Sequence, residues 1–409
     1  MSELPAMPEL PAMDVPGRLR RLRAAMSEKG CEALLISNLV NVRYLSGFSG
    51  SAGALVVRAD DVVLVTDGRY ATQAPAELEA AGAPVDVEVA PASGQGEVLA
   101  RLVGGAHRLG LEAEHISWSR QRQFVRTWAG GVELVATEGL VEGLRQRKDA
   151  GELARIATAA RIADQALESV RGLLDAKSTG TRSTGTRSTG TKSTGTRSTG
   201  TKSTGTRSTE AGLALALDTE MRRLGASAPA FETIVAAGPN GAEPHHHPSA
   251  RPIERGELVV VDFGARFDGY CSDMTRCLWA GYSPGRAPAR LATVLSVVLA
   301  AQEAGVGAVG DGVPAAEVDR ACRRVIEEAG MGEYFVHGTG HGVGLDIHEA
   351  PWARAASDDI LCSGQVVTVE PGVYIPGLGG ARIEDTVVVT GSGCEVLTLT
   401  PKQAQARYR

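Results

Sequence analysis

The stretch LVVVDFGARFDGYCSDMTRC, residues 258–277, holds the most informative pattern in the chain. Asp262 ends an aliphatic strand, and Asp273 follows on the next strand after a turn near Phe267 and Asp268. If that turn centres a hairpin, the two aspartates face each other with Cβ atoms about 5 Å apart. Two like charges that close repel, so either one carboxyl keeps a proton or a cation lies between them.

A second pair of carboxylates repeats this arrangement in VVTVEPGVYIPGLGGARIEDT, residues 366–386. Glu370 ends a strand, residues 376–380 form a turn, and Glu384 lies on the return strand. A single acidic residue at a strand end is usually a turn cap. Four carboxylates on two hairpins instead predict an oxygen-rich site.

Between the two hairpins lies the glycine-rich stretch HGTGHGVGLDIHE, residues 337–349. His337 and His341 have the i, i+4 spacing of a helical zinc pair, but the glycines between them favour a loop. Carboxylate oxygens with one imidazole suit Mn(II), Co(II), Fe(II) or Zn(II). Such a set can hold two metal ions about 3.5–4 Å apart.

Composition limits the class of protein. A chain of 409 residues with 43% hydrophobic and 22% charged residues predicts a soluble protein of two or three domains. Its net charge of −6 argues against a nucleic-acid partner. The longest aliphatic stretch, residues 291–301, is shorter than the roughly 20 residues that span a bilayer, which predicts no membrane partner. Six scattered cysteines without a CxxC pair indicate a reducing compartment, so the predicted location is cytoplasmic.

The organisation of the chain follows from its patterns. Residues 1–17 predict a disordered tail, and a helix is expected from Leu19 to Lys29 within an α/β unit at 18–144. Residues 150–409 predict an α+β unit with antiparallel strands and helices on one face. Within it, residues 177–209 repeat [K/R]STGT between two helices, with Thr209 as a possible N-cap. This repeat cannot bury apolar surface and is predicted to be disordered.

The order DFG, SDMTR, HGTGHGVGLDIHE, EPGVY, RIED resembles the M24 metallopeptidases of the pita-bread fold, which include methionine aminopeptidase, aminopeptidase P and prolidase. NVRYLSGFSGSAGALVV and TDGRYATQA, at 41–57 and 66–74, resemble the creatinase-type N-terminal domain of aminopeptidase P and prolidase. The resemblance implies an α+β fold, with a C-terminal pita-bread catalytic domain preceded by an α/β creatinase-like domain.

Roles for individual residues are also implied by the resemblance. The metal ligands would be Asp262, Asp273, His341, Glu370 and Glu384, with Asp273 and Glu384 bridging two divalent ions. Mn(II) is the first expectation, with Co, Zn or Fe as alternatives. His245 would form a substrate and transition-state hydrogen bond, His348 would stabilise the oxyanion and Glu370 would act as the base. His337 and Arg382 would bind substrate, while His246 and His247 would be bystanders.

The implied activity is hydrolysis of the N-terminal Xaa-Pro bond of short peptides, by an aminopeptidase or a dipeptidase. This bond lacks an N–H and has a fixed φ, so it needs a dedicated pocket. A hydrolase of a small non-peptide metabolite and a catalytically silent binding protein are the alternatives; the complete ligand set disfavours the second. Trp352 stands where some prolidases carry a basic residue that binds the free carboxylate. A homodimer is expected, with residues 18–144 narrowing access to the metals.

Overall fold

The computed structural model describes residues 10–128, 131–175, 208–281 and 288–402. The predicted disordered repeat lies outside these ranges except for Ser208 and Thr209, and so do the first nine residues of the predicted tail. Thr209 is the N-cap of the helix that follows, and its side chain accepts a hydrogen bond from the Gly212 amide, as expected.

The N-terminal domain is a six-stranded mixed sheet with helices packed on it. Its strands are β1 Ala33–Ile36, β2 Gly53–Arg58, β3 Val62–Thr66, β4 Asp86–Val89, β5 Arg108–Glu112 and β6 Glu133–Thr137. Its helices are α1 Val15–Glu28, α2 Leu39–Ser46, α3 Gln73–Ala80, α4 Gln95–Val103, α5 Trp118–Trp128 and α6 Leu140–Arg145, with a 3-10 turn at Gly68–Tyr70. The strand order is β4-β3-β2-β1-β5-β6. Strands β1 and β3 are buried at every position, which accounts for their aliphatic sequences.

The first helix begins earlier than the sequence predicted. It starts at Val15 instead of Leu19, because the Asp14 side chain accepts a hydrogen bond from the Gly17 amide and caps the helix. Residues 15–17, which we expected in the tail, therefore belong to the N-terminal domain. Val15 is fully buried, so the start of this helix is tied to the core.

The C-terminal domain contains the remaining elements. Its helices are α7 Ala150–Val170, α8 Gly172–Asp175, α9 Glu210–Arg223, α10 Ala289–Ala308 and α11 Ala315–Glu328, with 3-10 turns at Gly238–Ala242 and Gly332–Tyr334. Its strands are β7 Ala228–Pro229, β8 Ile234–Ala237, β9 Leu258–Phe263, β10 Ala265–Phe267, β11 Tyr270–Cys271, β12 Met274–Trp279, β13 Gly340–Gly342, β14 Glu349–Ala353, β15 Val366–Val369, β16 Gly372–Ile375, β17 Gly379–Arg382, β18 Asp385–Thr390 and β19 Gly393–Val396. Every described strand pair in this domain is antiparallel, as predicted.

Helices cover both faces of the central sheet β8-β9-β12, so the expectation of helices on one face was wrong. Successive side chains of a strand point to opposite faces. In β9, Val259 and Val261 pack in the core with α7 and α9, whereas Leu258 and Val260 pack in the core with α10 and α11. Burial on both faces explains why this strand is a continuous apolar run.

Helix α10, 20 residues long, is apolar and long enough to cross a membrane by length and composition alone. Val294, Val298 and Ala301 pack in the domain core, and the Gln302 side chain donates to the buried Asp385. The core helix of a soluble protein passes the same test, so the helix is weak evidence for a membrane span.

Candidate active site

The first hairpin brings Asp262 and Asp273 to one pocket, but not directly opposite each other. Asp262 is paired with Thr275 in the β9–β12 ladder, and Asp273 precedes β12 by one residue. The predicted opposition was wrong because the turn centres on Asp268 and Gly269, which both have positive φ, 45° and 85°. The turn lies one residue later than expected, so Asp262 and Asp273 are diagonal neighbours.

The second hairpin places Glu370 and Glu384 across from each other. Val369 pairs with Asp385 in the β15–β18 ladder, and Gly372 pairs with Arg382 in the β16–β17 ladder. Both pairs belong to the same register. If that register continues between the two ladders, Glu370 is opposite Glu384. Side chains at such positions lie on the same side of a hairpin.

The histidine stretch is a strand and loop, as its glycines predicted. A Cβ at Gly340 would lie 2.0 Å from the Thr368 carbonyl oxygen, so only glycine allows β13 to approach the neighbouring strand β15 this closely. His341 Nδ1 lies 3.0 Å from the Gly342 carbonyl oxygen. That contact orients Nε2 toward the carboxylates, 3.3 Å from Glu370 Oε1 and 3.7 Å from Asp273 Oδ2.

A cavity of about 470 Å³ contains all the residues to which the sequence assigned a role. They are His245, Asp262, Asp273, His337, His341, His348, Glu370, Arg382 and Glu384. Every described residue that lines this cavity belongs to the range 231–384. The described residues of the N-terminal domain therefore do not line the cavity in this subunit, and the narrowing of access in a homodimer stays a prediction.

The buried carboxylates repel one another. Burial, together with Glu384, Asp262 and Glu370, holds the pKa of Asp273 well above its usual value. Burial and the charges of Glu370 and Asp262 likewise raise the pKa of Glu384. Burial alone would also raise the pKa of Glu370, but the hydrogen bond and charge of His341 outweigh it and bring that pKa to about 2. Without a cation, full ionisation of the cluster is therefore unfavourable.

The arrangement fits bound divalent cations. Asp262 Oδ1 and Glu384 Oε1 are buried and have no hydrogen-bond partner among the described residues. A buried carboxylate oxygen without a partner is costly unless something else occupies its lone pairs. One ligand atom each from Asp273, His341 and Glu384 lie within 4.8 Å of one another. The donor set, carboxylate oxygens with one imidazole nitrogen, is typical of Mn(II), Co(II), Fe(II) and Zn(II).

Arg382 organises one wall of the cavity. Its guanidinium donates to Asp262 Oδ2 at 2.5 Å, to the Tyr374 hydroxyl at 2.7 Å and, through Nε, to the Thr275 hydroxyl at 3.1 Å. The Thr275 hydroxyl donates in turn to Glu384 Oε2 at 2.8 Å. Arg382 thereby fixes two of the predicted ligands and compensates part of their charge.

Several contacts at the site were not predicted from the sequence. His246, predicted to be a bystander, places Nε2 3.0 Å from Glu210 Oε2 and Nδ1 2.8 Å from Glu243 Oε2, which are contacts compatible with that prediction. The Tyr374 hydroxyl lies 2.9 Å from His337 Nε2, and no sequence pattern indicated this contact. Arg354 lines the cavity and lies 5.5 Å from the Trp352 ring centroid. The two-residue spacing of Trp352 and Arg354 was the available signal for a shared face.

Comparison with known proteins identifies the family of the chain. Metallopeptidase family M24 matches residues 154–391, and the creatinase/prolidase N-terminal domain matches residues 18–147. A Xaa-Pro dipeptidase of Pyrococcus furiosus is 33% identical over 387 residues, which cover 94% of this chain and 99% of that protein.

Solved structures show the same relationship. A Xaa-Pro dipeptidase from Bacillus anthracis is 34% identical with a TM-score of 0.82, over 95% of this chain and 99% of that one. An X-Pro aminopeptidase from Thermotoga maritima MSB8 is 32% identical with a TM-score of 0.78, over 93% of this chain and 99% of that one. The expected pita-bread and creatinase-type domains are thus confirmed, and the chain belongs to metallopeptidase family M24.

Proposed function

We propose that this metallopeptidase hydrolyses the N-terminal Xaa-Pro bond of short peptides and uses two divalent metal ions to do so. The observation that carries the proposal is the convergence of four carboxylates and His341 in one cavity, with unpartnered buried oxygens on Asp262 and Glu384. The printed activities of the similar proteins support the Xaa-Pro preference.

The residues of the cavity have separate roles in this proposal. Asp262, Asp273, His341, Glu370 and Glu384 would hold the ions, which supply Lewis acidity to the peptide carbonyl and the attacking water. Glu370 would take the proton of that water, because a carboxylate beside bound cations stays ionised. His348 donates to the developing oxyanion, and burial lowers its pKa, so it acts as a neutral donor. His245 and His337 line the cavity where they contact the substrate.

The proposal is tested by assaying Xaa-Pro dipeptides, Xaa-Pro-Xaa tripeptides and matched Xaa-Ala peptides with Mn(II), Co(II) and Zn(II) added in turn. Cleavage restricted to the Xaa-Pro substrates, and only after metal addition, is the expected result. Absence of peptide cleavage with every metal would refute the proposal and favour a hydrolase of small metabolites. Metal analysis of the purified protein distinguishes both from a silent binding protein, for which no bound metal is expected.

We also propose that the enzyme accepts dipeptides, because Arg354 supplies an exposed cation at the cavity. The Arg354 guanidinium has no ion-pair partner among the described residues and lies 5.5 Å from the centroid of the Trp352 ring. A guanidinium in this position is free to bind the C-terminal carboxylate of a Xaa-Pro dipeptide. Arg354 would thus take the role of the basic residue that some prolidases have at the position of Trp352.

We also propose that the protein is cytoplasmic and forms a homodimer. The location is supported by six free cysteines, of which four are buried. The dimer is supported by the resemblance to family members that pair. Mass in solution, measured by light scattering, decides the assembly: a monomeric mass at working concentration would rule out the dimer.

A further inference from the structure

The loop that carries His348 is held by residues outside the catalytic domain. Glu349, the residue after His348, begins β14 and pairs with Gly342, the neighbour of His341. The Glu349 carboxylate accepts from Arg145 at 2.5 Å and from the Lys148 ammonium at 2.6 Å. Arg145 is the last residue of α6, and Lys148 lies in the connection between the two domains.

This contact is buried, unlike most ion pairs at a surface. The side chains of Arg145, Lys148 and Glu349 are 3%, 1% and 9% exposed. Burial raises the pKa of Glu349, but the charges of Lys148 and Arg145 outweigh this effect and lower it below the usual value. Removing one partner of a buried ion pair is costly, because the other partner stays charged and buried without compensation.

Arg145 holds the loop at two points, one on each side of His348. Besides Glu349, it donates to Asp346 at 2.7 Å. Its other terminal nitrogen donates to the Asn41 side chain at 3.0 Å. Asn41, itself fully buried, donates to Glu112, so the guanidinium is fixed within the N-terminal domain.

The loop has little freedom to move against this support. A Cβ at Gly344 would lie 2.5 Å from Glu349 Oε1, so the carboxylate packs directly on the glycine backbone. The ring of His348 meets that of His341 edge-on, with centroids 4.4 Å apart. A displaced Glu349 would therefore move the His348 ring relative to the metal site.

We propose that Arg145, assisted by Lys148, is a positioning residue that fixes His348 through Glu349 and Asp346. The N-terminal domain thereby acts on the active site through a loop, although its described residues do not line the cavity. The inference uses the proposed peptidase activity as a readout. It does not depend on the identity of the metal.

A second contact between the domains provides a matched control. Arg43 of the N-terminal domain binds Asp268 at the β10–β11 turn at 2.9 Å, and these side chains are 29% and 41% exposed. The Arg43→Met variant removes an interdomain arginine that does not contact the His348 loop. Any effect of general domain docking should appear in both Arg43→Met and Arg145→Met.

The test is a double-mutant cycle in the full chain. We expect Arg145→Met to lower kcat by about 10- to 100-fold, with KM and metal affinity changed by less than about threefold. In a His348→Ala background the same change should lower kcat by no more than about twofold, because the residue through which it acts is absent. Arg43→Met should leave kcat unchanged in both backgrounds. Equal losses from Arg145→Met in both backgrounds would overturn the proposal.

Hydrogen exchange provides a readout that does not require turnover. Amides of residues 344–353 should exchange faster in Arg145→Met than in the wild type or Arg43→Met. Unchanged exchange there would also overturn the proposal. If the wild-type chain cleaved no peptide, the proposed function would fail, whereas exchange would still decide the positioning role. Should Arg145→Met not fold, Arg145→Lys, which keeps the charge but not the two-point contact, undergoes the same measurements.

Discussion

Arg382 donates a hydrogen bond to Asp262 Oδ2 at 2.5 Å, and the other oxygen of that carboxylate, Oδ1, is buried without a partner in the described chain. The arginine therefore compensates part of the negative charge and orients the carboxylate, while one oxygen stays available to a cation. The same division occurs at Glu384, where Thr275 donates to Oε2 and Oε1 has no described partner. This asymmetry is typical of metal-ligating carboxylates held by neighbouring groups.

Loss of a ligand should abolish turnover and leave the fold intact. We expect Asp262→Asn and His341→Ala to lower kcat by at least about 100-fold, since two ions need the complete donor set. Bound metal after dialysis should fall as well. The control is Asp268→Asn, which changes an exposed aspartate on the turn of the same hairpin. Normal turnover of either variant at saturating metal would contradict the assignment.

The metal-free protein should lose stability as pH rises. The pKa values of Asp262, Asp273 and Glu384 are raised in the folded state, first by burial and then, at each, by neighbouring carboxylates. Their stabilising contribution is present below the unfolded pKa of about 4 and is lost as pH rises through the folded values. The lowered pKa of Glu370 makes its contribution to stability change with pH in the opposite direction, but it is one group against three.

Thermal unfolding with a chelator present measures this effect. From about pH 5 to about pH 8 the wild type should lose more stability than Asp273→Asn, which lacks one of the repelling carboxylates. Added Mn(II) should stabilise the wild type more at the higher pH. Identical pH profiles of the two proteins would show that the cluster is not under the inferred repulsion.

Replacement of Arg354 should affect substrates according to their C-terminus. For Arg354→Ala we expect KM for a Xaa-Pro dipeptide to rise about tenfold, and KM for the corresponding Xaa-Pro amide to change by less than about twofold. The control, Arg324→Ala, removes an exposed arginine on α11 that does not line the cavity. Equal changes for the acid and the amide would exclude carboxylate recognition by Arg354.

Deletion of residues 178–207 should leave turnover nearly unchanged and alter the free energy of unfolding by less than about 1 kcal/mol, because closure entropy varies slowly with loop length. The structure favours a short connection, because the Ser208 hydroxyl donates to the Leu173 carbonyl at 3.1 Å. Leu173 and Ser208, which lie on either side of the deleted stretch, are therefore already close together. Chemical denaturation and peptide assays of the deleted chain decide the matter: unfolding or loss of activity would make the repeat part of the folded machinery.

Sequence reasoning located the four carboxylates of the cavity because they adjoin strand ends and turns, which are local features. Asp262 lies near the end of the aliphatic strand β9, Glu370 follows β15 and Glu384 precedes β18. The glycines around His341 favoured a loop over a helix. The predicted turn centre was wrong by one residue, which shifts the partner of Asp262 by two positions, since the positive φ values of Asp268 and Gly269 set the turn centre. The contact of His246 with Glu210 was not predicted because the two residues are 36 positions apart in sequence.

The sequence by itself determined the residue types of the site, the approximate elements that carry them and the family to which the chain belongs. Only the tertiary structure decided which oxygens remain unpartnered, which arginine compensates them and how the N-terminal domain reaches the site. The contact of Arg145 with Glu349 joins residues 204 positions apart. Such pairs form when folding brings distant charged residues together and excludes water from them. No local sequence pattern predicts which residues will pair.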